Sequence, residues 1–312
     1  MRTKLRRFWP HMILFGLALA LRCYGLGLPL LDYHSWRQAD TAAMARNFIA
    51  SGYQFQAPQV DWGGQKPGYV ESEFPLYSGA LALLWGLFGP HVWIGRLLSA
   101  LASAATCAVL YSLARPISGR RAALYAGVTL ALLPFALYFG RTVMPDAWML
   151  LGALLALLTF QRWLDQPSVG RFRLALIFGA LAPLAKTPNL VIVGVPLAYL
   201  AWPLLAVRPA RKAVLIYAAC FALPALLWTA HARTLPIDPR LSFGIGEKLF
   251  DMRLLIDPHF YLLIARWSIE NVLTWAGLPL FLLGLFTRQG GKEARRQGDK
   301  SPQQSAFLLV SS

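Results

Sequence analysis

The chain has 312 residues, of which 57% are hydrophobic and only 14% are charged, and its formal net charge is +16 at pH 7. A soluble domain of this length cannot bury so much apolar surface, so the composition excludes a water-soluble protein and indicates an integral membrane protein. The net charge alone suits a nucleic-acid-binding protein, but the placement of the basic residues, described below, excludes nucleic acid as a partner.

Eight apolar segments are long enough, or nearly so, to cross the bilayer, because a helix needs roughly 20 apolar residues to span a ~30 Å hydrocarbon core. They are residues 9–30, 97–114, 122–140, 146–161, 174–185, 188–207, 213–231 and 269–287. The short segment 174–185 and its successor are interpreted as a tight helical hairpin that is broken at Lys186-Thr187-Pro188. The predicted fold class is therefore an all-α, polytopic membrane protein.

Basic residues cluster in every second segment between these spans. The five clusters hold more than half of the 30 basic residues: Arg2/Lys4/Arg6/Arg7, Arg115/Arg120/Arg121, Arg162/Arg171/Arg173, Arg208/Arg211/Lys212 and Arg288/Lys292/Arg295/Arg296/Lys300. Loops that are rich in lysine and arginine stay on the cytoplasmic side of a membrane. We therefore predict that both termini are cytoplasmic and that the excess charge records topology.

Two long segments are left on the outer face, residues 31–96 and 232–268. Residues 1–289 are predicted to form one transmembrane domain, followed by a cytoplasmic tail at 290–312. Within the first outer segment, helices are predicted at 38–50 and 74–89. The second is apolar enough to span, but a ninth span would move two basic clusters outside, so we place it in the outer interface. Residues 51–73 are rich in Gly, Pro and Gln and predict an ordered loop or a mobile lid.

Ionisable side chains are unusually dense at the outer ends of the spans. Such groups cost free energy at a bilayer unless they are paired or used. The candidates are Asp32, His34, Arg37, Asp40, Glu73, Arg96, Arg141, Asp146 and Lys186. Cations at a membrane surface can hold the phosphate of a lipid carrier, while a nearby carboxylate or histidine can take a proton from an acceptor. This set predicts a phosphate-dependent transfer site.

Each candidate also has an ordinary structural interpretation. Arg96 and Arg141 can be interfacial anchors that extend along the apolar surface towards water. His34 can be an interfacial hydrogen bonder, Asp146 can cap the helix that follows it, and Glu73 can be salt-bridged. The acidic groups also suit a divalent metal, although no ligand spacing requires one. No other cofactor is predicted.

Five stretches resemble the bacterial members of glycosyltransferase family 39, which are GT-C-fold relatives of protein O-mannosyltransferases and of the lipid A aminoarabinose transferase. They are WRQADTAAMARNFIASGYQFQAP (36–58), ESEFPLYSGALALLWGLFG (71–89), GRLLSALASAATCAVLYSLAR (95–115), YFGRTVMPDAWML (138–150) and LAKTPNL (184–190). The resemblance implies a plasma (inner) membrane enzyme. Such an enzyme moves a sugar, with inversion, from a polyprenyl-phosphate carrier to an acceptor on the outer face, using a carboxylate in the first outer loop.

The chain departs from this family at two matched positions. Family members usually have an Asp-Glu pair where this chain has Arg37-Gln38, and often a lysine where it has Glu73. The paired exchange predicts a reversed ion pair between Arg37 and Glu73. Asp40 follows Arg37 by three residues, on the same helix face, and can supply the missing carboxylate. Asp32 is the other candidate for the base.

The function predicted from these residues is sugar transfer to a lipid, glycan or protein acceptor, with Asp40 or Asp32 as the base and His34 assisting. Arg141, Lys186 and Arg37 are predicted to bind the carrier phosphate, and Asp146 to position hydroxyls. Family members usually continue further than this chain does. A lipid-linked sugar transporter and a non-catalytic or truncated accessory subunit are therefore the alternatives. Membrane lipids are the remaining expected partners.

Overall fold

The computed structural model describes residues 2–64, 67–237, 252–274, 277–279 and 281–282. Its α-helices are α1 (Arg2–Arg22), α2 (Ser35–Ala50), α3 (Leu76–Phe88), α4 (Val92–Leu132), α5 (Pro134–Phe139), α6 (Asp146–Asp165), α7 (Val169–Ala185), α8 (Asn189–Ile192), α9 (Gly194–Ala201), α10 (Arg208–Ala232), α11 (Met252–Ile256) and α12 (Pro258–Trp267). Short 3₁₀ turns lie at Asp61–Gly63 and Trp202–Ala206, and a π-helical turn at Ser268–Leu273. In these ranges the β pairing consists of one isolated bridge, between Gln59 and Tyr69, so the all-α prediction is confirmed.

Within the described ranges, four helical segments are long and apolar enough to cross a membrane: Val92–Leu132, Asp146–Asp165, Asn189–Ala206 and Ala210–Ala232. Phe8–Arg22 and Leu76–Phe88 are shorter apolar helices. The chain is thus a polytopic membrane protein. Residues 238–251 of the outer segment 232–268 lie outside the described residues, as do residues 275–276, 280 and 283–287 of the predicted span 269–287 and the whole tail from 290. The count of eight spans therefore stays a prediction.

The predicted spans 97–114 and 122–140 are two antiparallel halves of α4. The chain turns at Gly119, where φ is +78° and ψ is 171°. This positive φ is open to glycine and costly for residues with a Cβ. Past the turn, Gly127 packs so closely on the first half that a Cβ there would lie 3.3 Å from the Cys107 carbonyl oxygen. The second half ends at Leu132 rather than 140, because the backbone breaks before α5.

Helix α1 ends at Arg22, eight residues before the predicted end of the first span. The Arg22 side chain is fully buried, and its Nε donates to Ser103 Oγ at 2.7 Å. Its Nη1 and Nη2 donate to main-chain carbonyls of Ala18, Leu130, Ala131 and Ala136. These carbonyls lie at or near the ends of α1 and α4, and in α5. The positive charge is therefore stabilised by the negative ends of helix dipoles.

The predicted hairpin break at Lys186-Thr187-Pro188 is confirmed, since α7 ends at Ala185 and α8 begins at Asn189. The buried Asn189 amide donates to the carbonyls of Met149 and Ala182, which closes the corner. The predicted span 188–207 is not one continuous helix. It switches to a 3₁₀ turn at Trp202, where Pro203 has no N–H to donate.

Three apolar cores organise the bundle. The first joins α6, α7, α9 and α10 around Phe160, Tyr217 and Phe221, and the second joins α1 to both halves of α4 around Leu14 and Tyr111. The third packs α2 and α3 on the start of α4. Helix α3 has 13 residues, too few to span the bilayer alone, and it buries Tyr77, Leu81 and Trp85 in this third core. Its predicted helix is therefore confirmed.

Candidate active site

Asp32 is held in a polar network at the start of α4. Its Oδ2 is 3.3 Å from both Nη1 and Nη2 of Arg96, and its Oδ1 accepts a hydrogen bond from Gln38 Nε2 at 2.7 Å. Arg96 also donates to the Pro29 carbonyl, and its side chain is fully buried. The interpretation of Arg96 as an anchor that reaches towards water is therefore wrong, because the Asp32 carboxylate holds the guanidinium inside the protein.

Gln38 is a structural residue that the sequence did not single out. It is fully buried, and its Oε1 accepts a hydrogen bond from the Val143 N–H at 3.1 Å while Nε2 donates to Asp32. A glutamate at this position would set its carboxylate against that of Asp32 without a donor between them. The Gln38 amide instead links the Asp32 carboxylate to the Val143 N–H. The sequence signal for this residue was the glutamine at position 38, where family members usually have a glutamate.

The predicted ion pair between Arg37 and Glu73 is confirmed. Arg37 Nη2 lies 3.2 Å from Glu73 Oε1 and 3.4 Å from Oε2, and both side chains are mostly buried. The pair joins α2, which begins at Ser35 rather than 38, to the segment that leads into α3. The departures from the family pattern at Arg37 and Glu73 thus compensate each other, because the two exchanged charges still form an ion pair.

A cleft, with about 350 Å³ of empty space including its open mouth, lies between α2 and the segment before α3. Arg37, Asp40 and Thr41 form one wall, Glu73 and Phe74 form the other, and Pro145 closes one side. Asp40 is the unpaired carboxylate here, since neither a lysine nor an arginine forms an ion pair with it in the described part of the chain. The cleft therefore combines one open acid with a neutralised Arg–Glu pair.

Partial burial raises the pKa of the Asp40 carboxyl above its usual value. The Trp62 indole, whose Nε1 donates to Oδ1 at 2.7 Å, and the Arg37 charge lower this pKa, while the Asp61 carboxylate raises it. A carboxylate that is partly desolvated takes a proton more readily than one in water. Asp40 is thus tuned towards proton transfer.

Asp146 and Lys186 form a second polar site next to Pro145 of the cleft. Lys186 Nζ lies 2.7 Å from Asp146 Oδ1, and both side chains are about one-quarter exposed. The other carboxylate oxygen, Oδ2, is buried and accepts no hydrogen bond from the described residues. Asp146 is also the first residue of α6, where a negative charge suits the helix dipole.

Arg141 and His34 do not line the cleft. Arg141 donates to the Tyr24 carbonyl, and its guanidinium lies 5.7 Å from the centre of the Tyr24 ring, next to the end of α1. His34 precedes α2 in the left-handed conformation, with φ of +57°, and its ring packs on Tyr33 and Phe139. The structure therefore brings Arg37, Asp40 and Glu73 together, with Asp146 and Lys186 adjacent, and leaves these two apart.

The end of α10 supplies contacts that the sequence did not suggest. Trp228 Nε1 donates to the Ser72 carbonyl at 2.9 Å, Arg233 Nε lies 3.4 Å from Glu71 Oε1, and His231 Nε2 contacts the Gln56 carbonyl at 2.9 Å. These residues fasten the first outer segment over the bundle. Tryptophan and arginine at the end of an apolar helix were the available signal, but their partners lie more than 150 residues away.

Within the described ranges, no group of three or more His, Cys, Asp or Glu side chains is placed to hold a metal ion. The divalent metal thus stays a prediction without an assigned ligand set.

Comparison with known proteins identifies the family. The family model of dolichyl-phosphate-mannose-protein mannosyltransferases matches residues 71–228, about half of the chain. The chain belongs to this family. The family has the GT-C glycosyltransferase fold, which confirms the predicted resemblance and makes the protein a membrane glycosyltransferase of the GT-C type. No curated protein matches the chain.

The matched segment contains part of the site and adjoins the rest. It includes Glu73, Arg96, Arg141, Asp146 and Lys186. The other candidates, Asp32, His34, Arg37 and Asp40, precede it in the chain. The Arg37–Glu73 contact therefore links the matched segment to the helix that carries Asp40.

Proposed function

We propose that the protein transfers a sugar from a polyprenyl-phosphate carrier to a lipid, glycan or protein acceptor on the outer face of the plasma (inner) membrane, with Asp40 as the general base. The single observation that carries this proposal is the position of Asp40. It is a partly desolvated carboxylate on the wall of a cleft, with a raised pKa and no ion-pair partner in the described ranges.

Asp32 is the weaker candidate for the base. Its two carboxylate oxygens are occupied by Arg96 and by Gln38, so a proton acceptor there would have to break a buried ion pair. We therefore assign Asp32 to positioning Arg96 and Gln38.

In the proposed reaction, Asp40 takes the proton of an acceptor hydroxyl while the acceptor oxygen attacks the anomeric carbon. The new bond joins that oxygen to the sugar, and the bond between the sugar and the carrier phosphate breaks. The leaving polyprenyl phosphate keeps the electron pair and gains negative charge. A single displacement from the face opposite the phosphate inverts the anomeric centre.

Lys186 is proposed to contact the phosphate of the donor, and Asp146 its sugar. The Lys186 ammonium stabilises the charge that develops on the leaving phosphate. The buried Oδ2 of Asp146 accepts no hydrogen bond from the described residues, so it has capacity for one from a sugar hydroxyl that reaches it, which supports the predicted positioning role. Arg37 lies on the cleft wall, where the predicted phosphate contact would compete with its ion pair to Glu73. Arg141, which contacts Tyr24 just after α1, would contact the carrier farther from the cleft. His34 remains a predicted assistant without a contact to Asp40.

The test is transfer of a labelled sugar by purified Asp40→Asn protein, with Asp32→Asn as the matched variant. Loss of a general base lowers the rate about a hundredfold or more. We expect Asp40→Asn to abolish transfer without changing the thermal unfolding temperature. Asp32→Asn leaves Arg96 buried without its charge partner and is expected to cost about 3 kcal/mol of stability.

Transfer at the wild-type rate by Asp40→Asn would overturn the assignment of the base. Movement of the labelled donor across vesicles without transfer would instead identify a lipid-linked sugar transporter. Donor binding with neither transfer nor movement would identify a non-catalytic accessory subunit.

A further inference from the structure

A second cavity, of about 1440 Å³ including its open mouth, lies at the end of the bundle opposite the outer segments. It is formed where α1, α4, α6 and α7 meet. Its polar lining includes His11, Arg115, Arg162, Asp165 and Arg171. It is distinct from the candidate active site, because α6 runs from Asp146 at one end of the bundle to Asp165 at the other.

Three arginines from three different helices face this one cavity. Arg115 and Arg162 are exposed, and their side chains have no hydrogen bond or ion pair to any part of the chain that the structure describes. Arg171 donates to the Gln166 carbonyl at 2.7 Å, and this hydrogen bond uses one of the five N–H groups of the guanidinium. Asp165 is the one acid among the described lining residues, so the cavity keeps an excess positive charge.

The remaining walls of the cavity are held together by side-chain contacts between α1 and α4 and are partly apolar. His11 Nε2 is 2.8 Å from Ser112 Oγ, and the His11 ring packs edge-on against Tyr111 with 4.9 Å between ring centres. These contacts lock α1 to α4 beside the arginines. Phe8, which is 59% exposed, also lines the cavity and offers an apolar flank.

We propose that this cavity binds the phosphodiester headgroup of an anionic membrane lipid. Guanidinium groups match phosphate oxygens in charge and in hydrogen-bond geometry. Basic pockets between spanning helices on the cytoplasmic side attract anionic headgroups. Arginine clusters at the cytoplasmic ends of spans lie at the level of those headgroups. Phe8 would contact the glycerol and upper acyl region. The lipid thereby bridges α4, α6 and α7 at the end of the bundle that the outer loops do not brace.

The test measures lipid binding to the full chain in detergent by native mass spectrometry, with phosphatidylglycerol as the probe and phosphatidylcholine as the neutral comparison. We expect phosphatidylglycerol to bind at least tenfold more tightly to the wild type. We expect Arg115→Gln/Arg162→Gln to remove most of this preference, since each arginine near a headgroup contributes to its attraction. Neither side chain has a partner in the described residues, so folding should survive, as size-exclusion chromatography would show.

Arg173→Gln is the matched control, because Arg173 is exposed on α7 at the same end of the bundle but does not line the cavity. An equal loss of preference in Arg173→Gln would mean general surface charge and would overturn the site. Unchanged binding in the double variant would overturn it as well. A third arm adds inorganic phosphate in excess: displacement of phosphatidylglycerol at low phosphate concentrations would reassign the cavity to a soluble phosphate compound.

Discussion

At the scale of single residues, the site separates two carboxylates by what their oxygens contact. Asp40 lies on a cleft wall, whereas Asp32 is bound by Arg96 and Gln38. The helical spacing of Arg37 and Asp40 and the exchanged charge at Glu73 could be read from the sequence. The partner of Asp32 could not, because Arg96 is 64 residues away along the chain.

If Asp40 is the base, as proposed, its hydrogen bond from the Trp62 indole shifts the acid limit of activity. That bond stabilises the charged carboxylate and lowers its pKa, against the rise caused by burial. A base works only when it is deprotonated, so transfer falls as the pH drops through the pKa of Asp40. Trp62→Phe removes the donor, and we expect the acid limb of the pH–rate profile to move to higher pH.

Trp93→Phe serves as the control for this profile, since Trp93 is a half-exposed indole at the start of α4 that stacks on His91 and does not contact Asp40. Its acid limb should match the wild type. An unmoved limb in Trp62→Phe would separate Asp40 from the rate-determining proton transfer.

Lys186 provides a residue-scale test of carrier binding. Lys186→Glu replaces the proposed phosphate contact by a charge that repels both phosphate and Asp146, so we expect binding of polyprenyl phosphate to be lost. Lys212→Glu makes the same charge change on an exposed side chain at the other end of the bundle. Fluorescence or calorimetric titration should show near-normal affinity for Lys212→Glu, and equal affinity in both variants would refute the contact.

At the scale of elements, the Arg37–Glu73 pair fastens α2 to the segment before α3. Arg37→Glu places two carboxylates together and should lower both stability and transfer, and Glu73→Arg places two arginines together with the same result. Exchanging both charges should restore much of the loss, with a coupling of about 1 kcal/mol. Thermal unfolding of the four proteins in the cycle measures it, and additive effects would exclude a direct interaction.

The turn inside α4 depends on Gly119. Alanine at φ of +78° adds steric strain of about 1–3 kcal/mol, so Gly119→Ala should lower the unfolding temperature. Gly16→Ala is the matched control, because Gly16 lies inside α1 with nothing within 4 Å of an added Cβ. That variant should be neutral or more stable. A Gly119→Ala protein as stable as the wild type would mean that the turn tolerates a side chain.

Hydropathy predicted α1, α4, α6, α7 and α10 but not their ends. The apolar run 9–30 continues past Arg22, yet α1 stops there, because Arg22 binds carbonyls at helix ends that no periodicity reveals. The helix predicted at 74–89 is present at Leu76–Phe88, whereas its place in the outer interface stays a prediction from charge placement. The break at Trp202 lies in an apolar stretch where only Pro203 signals it.

At the scale of the whole molecule, the contacts of α10 support one side for both outer segments. Trp228 and Arg233 bind the loop at 71–72, which joins the end of α10 to the region of Asp40. Basic-residue counting predicted this topology, whereas the contact itself depends on packing across the entire bundle. The family match covers residues 71–228 and thus ends at this contact.

Cysteine labelling tests the topology directly. In a background without Cys23, Cys107 and Cys220, we expect Gln54→Cys and Thr234→Cys to react with a membrane-impermeant maleimide in intact cells. Arg120→Cys and Gly170→Cys should react only after permeabilisation, as expected for positive-inside loops. All four positions are exposed, so burial does not limit the reagent. Labelling of Arg120→Cys in intact cells would reverse the orientation and move the proposed site to the cytoplasm.

The buried Arg22 constrains how the protein is assembled during synthesis. Its acceptors at Leu130, Ala131 and Ala136 emerge from the ribosome more than 100 residues later. Until then the guanidinium needs water, so the nascent first helix must rest with its end at the lipid–water boundary. We therefore expect a biogenesis intermediate in which that helix waits beside the translocon and docks only once the α4–α5 hairpin has been inserted.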